Sequence, residues 1–213
     1  GYEKENFCFI NNEVKKGMTV LDIGAHIGLM VVIFSKKVGR EGAVYAFEPT
    51  PSTFKILQET IKLNNVKNVN AIPVALAEKK GKLNFYISDN SADNSNSLVN
   101  NHRTDRKEEA IEVEVNTVDH FVAEEKINNI DFIKIDVEGA EFQLLKGSIG
   151  TIKKHKPKII LSIHPEGIKN FGDSAEDIWN LLNDAGYKIL FDSKELSRKE
   201  FTEKTGLFDV FLV

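Results

Sequence analysis

Short runs of apolar residues, rich in β-branched side chains, recur along the chain and are separated by polar segments. Five of these runs predict strands at residues 20–23, 43–47, 70–74, 132–137 and 158–163. Their apolar residues are continuous rather than alternating, which indicates strands that are buried on both faces of a parallel sheet.

Segments between these runs carry apolar residues at helical spacing. They predict helices at 29–38, ending at Gly39, at 52–65, following Pro51, and at 175–185, stopping at Gly186. Strands that alternate with helices predict a doubly wound α/β sheet with right-handed crossovers. Near the end of the chain, the apolar runs 187–191 and 207–213 flank a charged segment that is too short to predict a crossover helix. We expect them to form an antiparallel edge.

One region interrupts the alternation of strands and helices. Predicted strands at 82–87 and 111–118 flank a segment dense in Ser, Asn and Asp, and we predict a long loop insertion over residues 88–109. This loop either stays in solvent or helps to close a ligand site. We treat residues 1–213 as a single domain, in which segment 1–16 is a lid, a dimer arm or the product of truncation.

The sequence VLDIGAHIG, residues 20–28, places an acid at the end of the first strand and two glycines after it. We expect Gly24 to adopt positive φ and to present backbone N–H groups to a ligand, and Gly28 to let helix and strand pack closely. The pattern lacks the first glycine of a dinucleotide fingerprint. The acid Asp22 suits a cationic amine, which favours S-adenosylmethionine over NAD. The alternative is a tight turn without a ligand.

The second strand ends in AFEP, which places Glu48 about 20 residues after the glycines. A carboxylate at that position can accept hydrogen bonds from both hydroxyls of a ribose. The alternative interpretation is a solvated loop acid.

Composition excludes several other classes of function. The chain has 28 Lys and Arg against 32 Asp and Glu, a formal net charge of −4, so it offers no basic footprint for nucleic acid or an anionic membrane. No apolar run is long enough to cross a membrane. The single cysteine, Cys8, cannot form an internal disulfide, and we predict it to be buried. These features fit a cytoplasmic, reducing compartment.

Three stretches together resemble the FkbM family of S-adenosylmethionine-dependent methyltransferases. They are VLDIGAHIG, AFEP and, most specifically, DFIKIDVEGAEFQLLKG. The resemblance implies a Rossmann-like class I methyltransferase fold, a three-layer sandwich with a mostly parallel seven-stranded sheet whose last strand is antiparallel. It also implies methyl transfer to a hydroxyl on a small-molecule acceptor such as a sugar or polyketide. We expect a monomer or a homodimer, without nucleic acid or membrane partners.

The resemblance also carries cofactor contacts over to this chain. The residues that it implies are Asp22, Gly24, Ala25, His26, Gly28, Glu48, Pro49, Ala75, Leu76, Ser97 and Asp136. Ser97 would cover the cofactor from the long loop, and Ala75 and Leu76 would pack on the adenine.

We expect the chemistry to depend on acids after the fourth strand and a histidine after the fifth. Asp136, Glu138 and His164 are the candidate catalytic residues, because a neutral alcohol needs a base or a metal to become a good nucleophile. His164 would either take the proton itself or ligate a metal with Asp136, and a structural histidine at a strand end remains the alternative. No metal site is predicted, although a divalent metal would be compatible. Glu141 either joins these acids or caps a helix.

Two other functions remain open. One is a non-catalytic module that only binds S-adenosylmethionine. The other is an N-methyltransferase, although D-V-E-G stands where such enzymes often carry an N-P-P-Y-like motif.

Overall fold

The computed structural model describes residues 2–88 and 108–213, in which eleven strands and nine helices form. The strands are Thr19–Ile23 (β1), Ala43–Phe47 (β2), Val69–Ile72 (β3), Ala75–Leu76 (β4), Gly81–Ser88 (β5), Glu108–Asn116 (β6), Phe132–Ile135 (β7), Lys158–Ile163 (β8), Ile189–Phe191 (β9), Lys194–Glu195 (β10) and Phe208–Leu212 (β11). The helices are Tyr2–Glu13 (α1), Leu29–Val38 (α2), Pro51–Leu63 (α3), Val118–Glu124 (α4), Glu141–Lys146 (α5), Ile149–His155 (α6), Pro165–Asn170 (α7), Ala175–Asp184 (α8) and Arg198–Thr202 (α9).

The main sheet has the strand order β10-β9-β11-β8-β7-β1-β2-β3. Strands β3, β2, β1, β7 and β8 are parallel, whereas β11 runs antiparallel to both β8 and β9. The expected α/β sandwich with a mostly parallel sheet and an antiparallel last strand is therefore confirmed. The expected number of seven strands is wrong, because the sheet has eight.

The additional strand is β10, which turns back on β9 through Asp192 and Ser193. Both residues have positive φ, 50° and 61°, the geometry of a two-residue hairpin turn whose twist matches that of its strands. Because β10 is only two residues long and exposed, no apolar run marks it in the sequence.

The expected antiparallel pairing of the last two runs is confirmed, because β11 pairs antiparallel with β9 and makes the sheet mixed. Strand β10 is outermost, and β11 itself is not at the edge: it lies between β8 and β9, with Val210 opposite Leu161. The charged segment before it contains helix α9, whose first turn is closed by reciprocal hydrogen bonds between Ser197 and Glu200. A short helix can therefore form there although few of its residues are apolar.

Helices cover both faces of the main sheet and bury two apolar clusters. Helices α1, α2 and α3 pack on one face, where Ile10, Phe34 and Leu57 are fully buried. Helices α4 to α9 pack on the other, where Leu144 and Phe201 are fully buried. Burial of this area removes a large apolar surface from water, which is the main favourable term in folding.

A second sheet has the order β4-β6-β5 and is not hydrogen-bonded to the main sheet in the described residues. The strand predicted at 70–74 is β3, which pairs with β2 and ends at Ile72, before Pro73, a residue that has no N–H to donate. Strand β4 begins after the predicted run, at Ala75, and pairs with β6. The strand predicted at 111–118 is β6; it ends at Asn116, and Thr117 caps helix α4. The predicted loop 88–109 lies, apart from its ends, outside the described residues.

Helix α1 covers the sheet face beside β11 through Ile10, and Val14, which directly follows the helix, is buried in the same cluster. Its Cys8 is exposed, so the expectation of a buried cysteine is wrong; the side chain lies on the outer side of the helix. Among the described residues, no helix combines the length and the apolar character needed to span a membrane.

Candidate active site

A cavity of about 570 Å³ opens at the carboxyl ends of β1, β2, β7 and β8. This is the edge at which open α/β sheets bind ligands, and the volume lies within the range of small-molecule pockets. The lining residues that sequence analysis named are Gly24, Ala25, His26, Gly28, Glu48, Pro49, Ala75, Leu76, Asp136, Glu138 and His164. Ser97 lies outside the described residues.

The glycine loop is shaped by contacts within the protein. Gly24 has φ +79°, and a Cβ there would lie 1.9 Å from the backbone oxygen of Asp136. The N–H groups of Gly24 and Ala25 both donate to the carbonyl oxygen of Phe47, at 3.1 and 2.9 Å. The expectation that Gly24 presents its N–H to a ligand is therefore wrong, because the close approach is between two strand ends.

Gly28 also has positive φ, +88°, and a Cβ there would lie 2.6 Å from Cδ1 of Leu57. The close packing that Gly28 permits is thus between the start of α2 and helix α3, rather than between helix and strand as expected.

Glu48 is a buried carboxylate with a fixed orientation at the end of β2. Its Oε2 accepts the His26 backbone N–H at 3.1 Å, and its Oε1 accepts the Thr50 N–H at 2.9 Å. Burial raises the pKa of Glu48, and these hydrogen bonds act in the opposite direction. Each carboxylate oxygen retains a further lone pair, so Glu48 can accept two more hydrogen bonds from a ligand that carries adjacent hydroxyls.

Asp22 lies beneath the cavity and faces Lys134, which lines it. Asp22 is fully buried, and within the described residues neither of its oxygens has a hydrogen-bond partner; Nζ of Lys134 lies 3.7 Å from Oδ1. Burial raises the pKa of Asp22 to about 6, although Lys134 opposes the shift. Burial alone would lower the pKa of Lys134, but the carboxylates of Asp136 and Asp22 outweigh it and raise that pKa. Lys134 was missed in the sequence because it looks like one polar residue within an apolar strand.

Asp136, Glu138 and His164 meet at the cavity wall. Nε2 of His164 lies 3.7 Å from Oδ1 of Asp136 and 3.5 Å from Oε2 of Glu138. Glu138 has positive φ, 50°, and Gly139 follows at φ 105° in contact with Gly167. The backbone of this turn therefore places the acids beside a histidine from the neighbouring strand.

Glu141 holds the other side of the imidazole. Its carboxylate is fully buried, and Oε1 accepts the Nδ1–H of His164 at 2.6 Å and the backbone N–H of Gly139 at 2.9 Å. Burial lowers the pKa of His164, but the hydrogen bond to Glu141 and the charges of the neighbouring acids outweigh it and raise this pKa to about 8. Glu141 thus orients His164 and leaves Nε2 directed at the two other acids.

The cost of gathering three acids is reduced by separation and by nearby cations. Asp136 and Glu138 are one-third exposed, Glu141 lies behind the wall, and Lys134 lies 3.4 Å from Asp136. One atom each from Asp136, Glu138 and His164 lies within 4.8 Å of the others, so these residues could also coordinate a divalent cation.

Comparison with known proteins adds evidence independent of this geometry. Residues 22–189 match the family model described as the methyltransferase FkbM domain. Methyltransferase 1 of Beauveria bassiana is 27% identical over 143 residues, which are 60% of this chain and 57% of that protein. The hexuronic acid methyltransferase AglP of Haloferax volcanii is 25% identical over 200 residues, covering 93% of this chain and 74% of AglP.

A solved structure shares the fold. The crystal structure of methyltransferase FkbM from Methylobacillus flagellatus KT superposes with a TM-score of 0.58 at 17% identity, covering 92% of this chain. This chain spans 43% of that protein, and 57% of Methyltransferase 1.

Proposed function

This chain belongs to the FkbM family of S-adenosylmethionine-dependent methyltransferases, and from that premise we propose that it methylates a hydroxyl oxygen of a small molecule such as a sugar or polyketide. One observation carries the proposal: Nε2 of His164 lies beside Asp136 and Glu138 in the cavity while buried Glu141 holds Nδ1. This is the arrangement that a base needs in order to take a proton from an alcohol.

The loops after β1 and β2 would hold the cofactor. Glu48 would accept hydrogen bonds from the ribose hydroxyls, for which its fixed carboxylate is suited. Ala75 and Leu76 would pack against the adenine, and His26 would lie near the methionine carboxylate. When bound, S-adenosylmethionine supplies a methyl group on a sulfonium, so the protein has to align the acceptor oxygen with it.

The residues after β7 and β8 would act on the acceptor. Because the Nδ1–H of His164 donates to Glu141, neutral His164 has its lone pair on Nε2, where it can accept the hydroxyl proton. Asp136 and Glu138 would stabilise the imidazolium that results and help to orient the hydroxyl. A positive charge on His164 is thus balanced on both sides of the ring.

The test is a transfer assay with S-adenosylmethionine labelled in its methyl group and a panel of alcohols, amines and carboxylic acids. We expect label in an ether that resists hydrolysis by mild base, together with S-adenosylhomocysteine in equal amount. Label found only in amines, or tight cofactor binding without transfer to any acceptor, would contradict the proposal. These results would favour an N-methyltransferase or a binding module.

A metal-assisted variant of this mechanism is favoured by one observation, the 4.8 Å cluster of Asp136, Glu138 and His164. If His164 is itself the base, treatment with EDTA leaves the transfer rate unchanged. Loss of activity that Mg²⁺ or Mn²⁺ restores would instead assign these three residues to a cation.

A further inference from the structure

We infer that the acceptor binds in a chamber between helix α1 and the sheet, and that this chamber selects an uncharged, hydroxyl-rich ring over an acidic one. This acceptor chamber is the part of the cavity lined by Asn6, Phe7, Lys134, Ser162 and Leu207. The inference rests on the proposed function and specifies the substrate class of the same site.

The two parts of the cavity have different origins. The cofactor part is built from residues 23–29, 47–50 and 74–76, all within the stretch that matches the family. Asn6, Phe7 and Leu207 line the same cavity but lie outside residues 22–189. Since the shared chemistry lies in the matched stretch, the residues outside it are suited to determine which acceptor enters.

Lys134 provides hydrogen-bond donors to the chamber. Its side chain is 12% exposed, and its Nζ lies 3.4 Å from Asp136, 3.5 Å from the Gly24 carbonyl oxygen and 3.7 Å from Asp22. These contacts, two of which are hydrogen bonds, are longer than the 2.7–3.2 Å of well-formed N–H···O bonds, so the ammonium can donate a shorter bond to a ligand. A buried ammonium gains from a further acceptor, such as a hydroxyl oxygen of a ligand.

Asn6 provides an unsatisfied acceptor from the opposite wall. Its Nδ2 donates to Oδ2 of Asp209 on β11, a residue that is 5% exposed. Its Oδ1 is buried, and no donor in the described parts of the chain reaches it. A buried carbonyl oxygen without a donor is costly, and because Asn6 lines the cavity, a rotation of its side chain towards a ligand would let an O–H supply one. One wall therefore offers an N–H donor and the other an acceptor, a combination that a hydroxyl group satisfies.

Charge around the chamber disfavours an anionic acceptor. Asp136 and Glu138 line the cavity, and Asp209 and Asp22 lie directly behind its wall. Among the described residues on this side of the cavity, the cationic groups are Lys134, which already faces two of these acids, and His164, which faces Glu138, Glu141 and Asp136. A carboxylate or phosphate on the acceptor would be desolvated among like charges, and this cost is a means of specificity.

The remaining wall is apolar. Phe7, Met30, Ile33, Ile160 and Leu207 line it, and Phe7 is 39% exposed. A sugar-like ring has hydroxyls at its edge and C–H groups on its faces. It would place its polar edge on Lys134 and Asn6, and a C–H face against the apolar wall.

The test compares two acceptors that differ only at C6, methyl β-D-glucopyranoside, with an uncharged hydroxymethyl group, and the corresponding glucuronide, with a carboxylate. S-adenosylhomocysteine formation is followed at saturating S-adenosylmethionine. We expect kcat/KM for the neutral glycoside to exceed that for the glucuronide by at least about tenfold. An equal or higher value for the glucuronide would overturn the charge argument. If neither glycoside is methylated although S-adenosylhomocysteine binds, the ring assignment is wrong and the cofactor part of the proposal stands. If S-adenosylhomocysteine does not bind either, the proposed function itself fails.

Variants of chamber residues test whether the acceptor chamber causes the preference for the neutral glycoside. Asn6→Ala should raise KM for the glycoside by about tenfold, the effect of one lost hydrogen bond, with an unchanged Kd for S-adenosylhomocysteine. Asn12→Ala is the matched control, because Asn12 is exposed on the same helix. Asp209→Asn removes one negative charge and should narrow the preference for the neutral glycoside. Equal effects of Asn6→Ala and Asn12→Ala would place the acceptor elsewhere.

Discussion

His164 is held on one side by a carboxylate that solvent does not reach and is open to the cavity on the other. Its hydrogen bond to Glu141, at 2.6 Å, raises the pKa of the imidazole to about 8 against the effect of burial. Most of the histidine is therefore protonated at neutral pH, and proton abstraction requires the neutral fraction. The rate of methyl transfer should follow this titration.

We expect kcat/KM to rise with pH and to level off above about 8, because only neutral His164 can accept the hydroxyl proton. Glu141→Gln removes the charge that raises this pKa, so the midpoint should move down towards 6.5 while the plateau falls. The measurement is a pH–rate profile of each protein. Glu166→Gln, an exposed acid on α7, is the control and should keep the wild-type midpoint. An unmoved midpoint in Glu141→Gln would show that another group titrates.

Glu48 offers a second test, which concerns cofactor binding only. Glu48→Ala should raise the Kd for S-adenosylhomocysteine by roughly 5- to 140-fold, corresponding to the 1–3 kcal/mol of charge-assisted hydrogen bonds. Isothermal titration calorimetry measures the Kd for S-adenosylhomocysteine. Glu59→Ala, an exposed acid on α3, should leave the Kd unchanged. Equal affinities of the two variants would exclude Glu48 from the binding site.

The sequence predicted those site residues that follow parallel strands directly. Glu48, Asp136 and His164 could be placed together because the carboxyl ends of such strands share one edge. Asn6 could not be placed at this site from the sequence, because its partner Asp209 is 203 residues away. Lys134 and Glu141 could not be assigned either, since their roles depend on which side chains the neighbouring strands and turns place beside them.

At the scale of the elements, long apolar patterns were predicted well and short elements were not. Strands β2 and β8 and helix α2 have the bounds that the apolar runs indicate. Strand β4 has two residues and exists because β6, about 40 residues later, pairs with it. Such an element carries no periodicity of its own, and tertiary pairing alone creates it.

The junction of α2 and α3 provides a prediction at this scale. Gly28→Ala should destabilise the protein by about 1–2 kcal/mol through its positive φ and by a further 1–3 kcal/mol, roughly, through the clash with Leu57. Gly17→Ala is the matched control, since Gly17 has φ +82° and a Cβ there would meet none of the described residues within 4 Å. Urea unfolding measures both. Equal losses of unfolding free energy in the two variants would mean that α2 and α3 can move apart without a loss of stability.

Across the whole molecule, as far as the structure describes it, several buried groups bind protons more tightly in the folded chain than in an unfolded one, among them Asp22 and His164. The pKa of Asp22 rises from 3.8 to about 6, and that of His164 rises from 6.5 to about 8. A group whose pKa is raised by folding contributes stability that is complete when the pH is below its pKa in the unfolded state. This stability is lost as the pH rises through its pKa in the folded state. Both groups therefore favour the folded state in acid relative to alkali.

We expect the free energy of unfolding to decrease between pH 6.5 and about 8, with His164 accounting for about 2 kcal/mol of the decrease. His164→Gln should flatten the curve over this interval. His120→Gln, at an exposed position on α4, should retain the slope. Urea unfolding at several pH values provides the measurement, and an unchanged slope in His164→Gln would show that the histidine does not hold its proton in the fold.

The central position of β11 has a consequence for how the chain reaches its native state. Strand β8, which is almost entirely buried, pairs with β7 along one edge. Its other edge stays unpaired until residues 208–212 add to the sheet as β11. Until then, its row of unpaired N–H and C=O groups and its isoleucines are open to any extended segment nearby. A newly made or partly unfolded molecule is consequently most prone to aggregate along this strand, and rapid insertion of β11 is its protection.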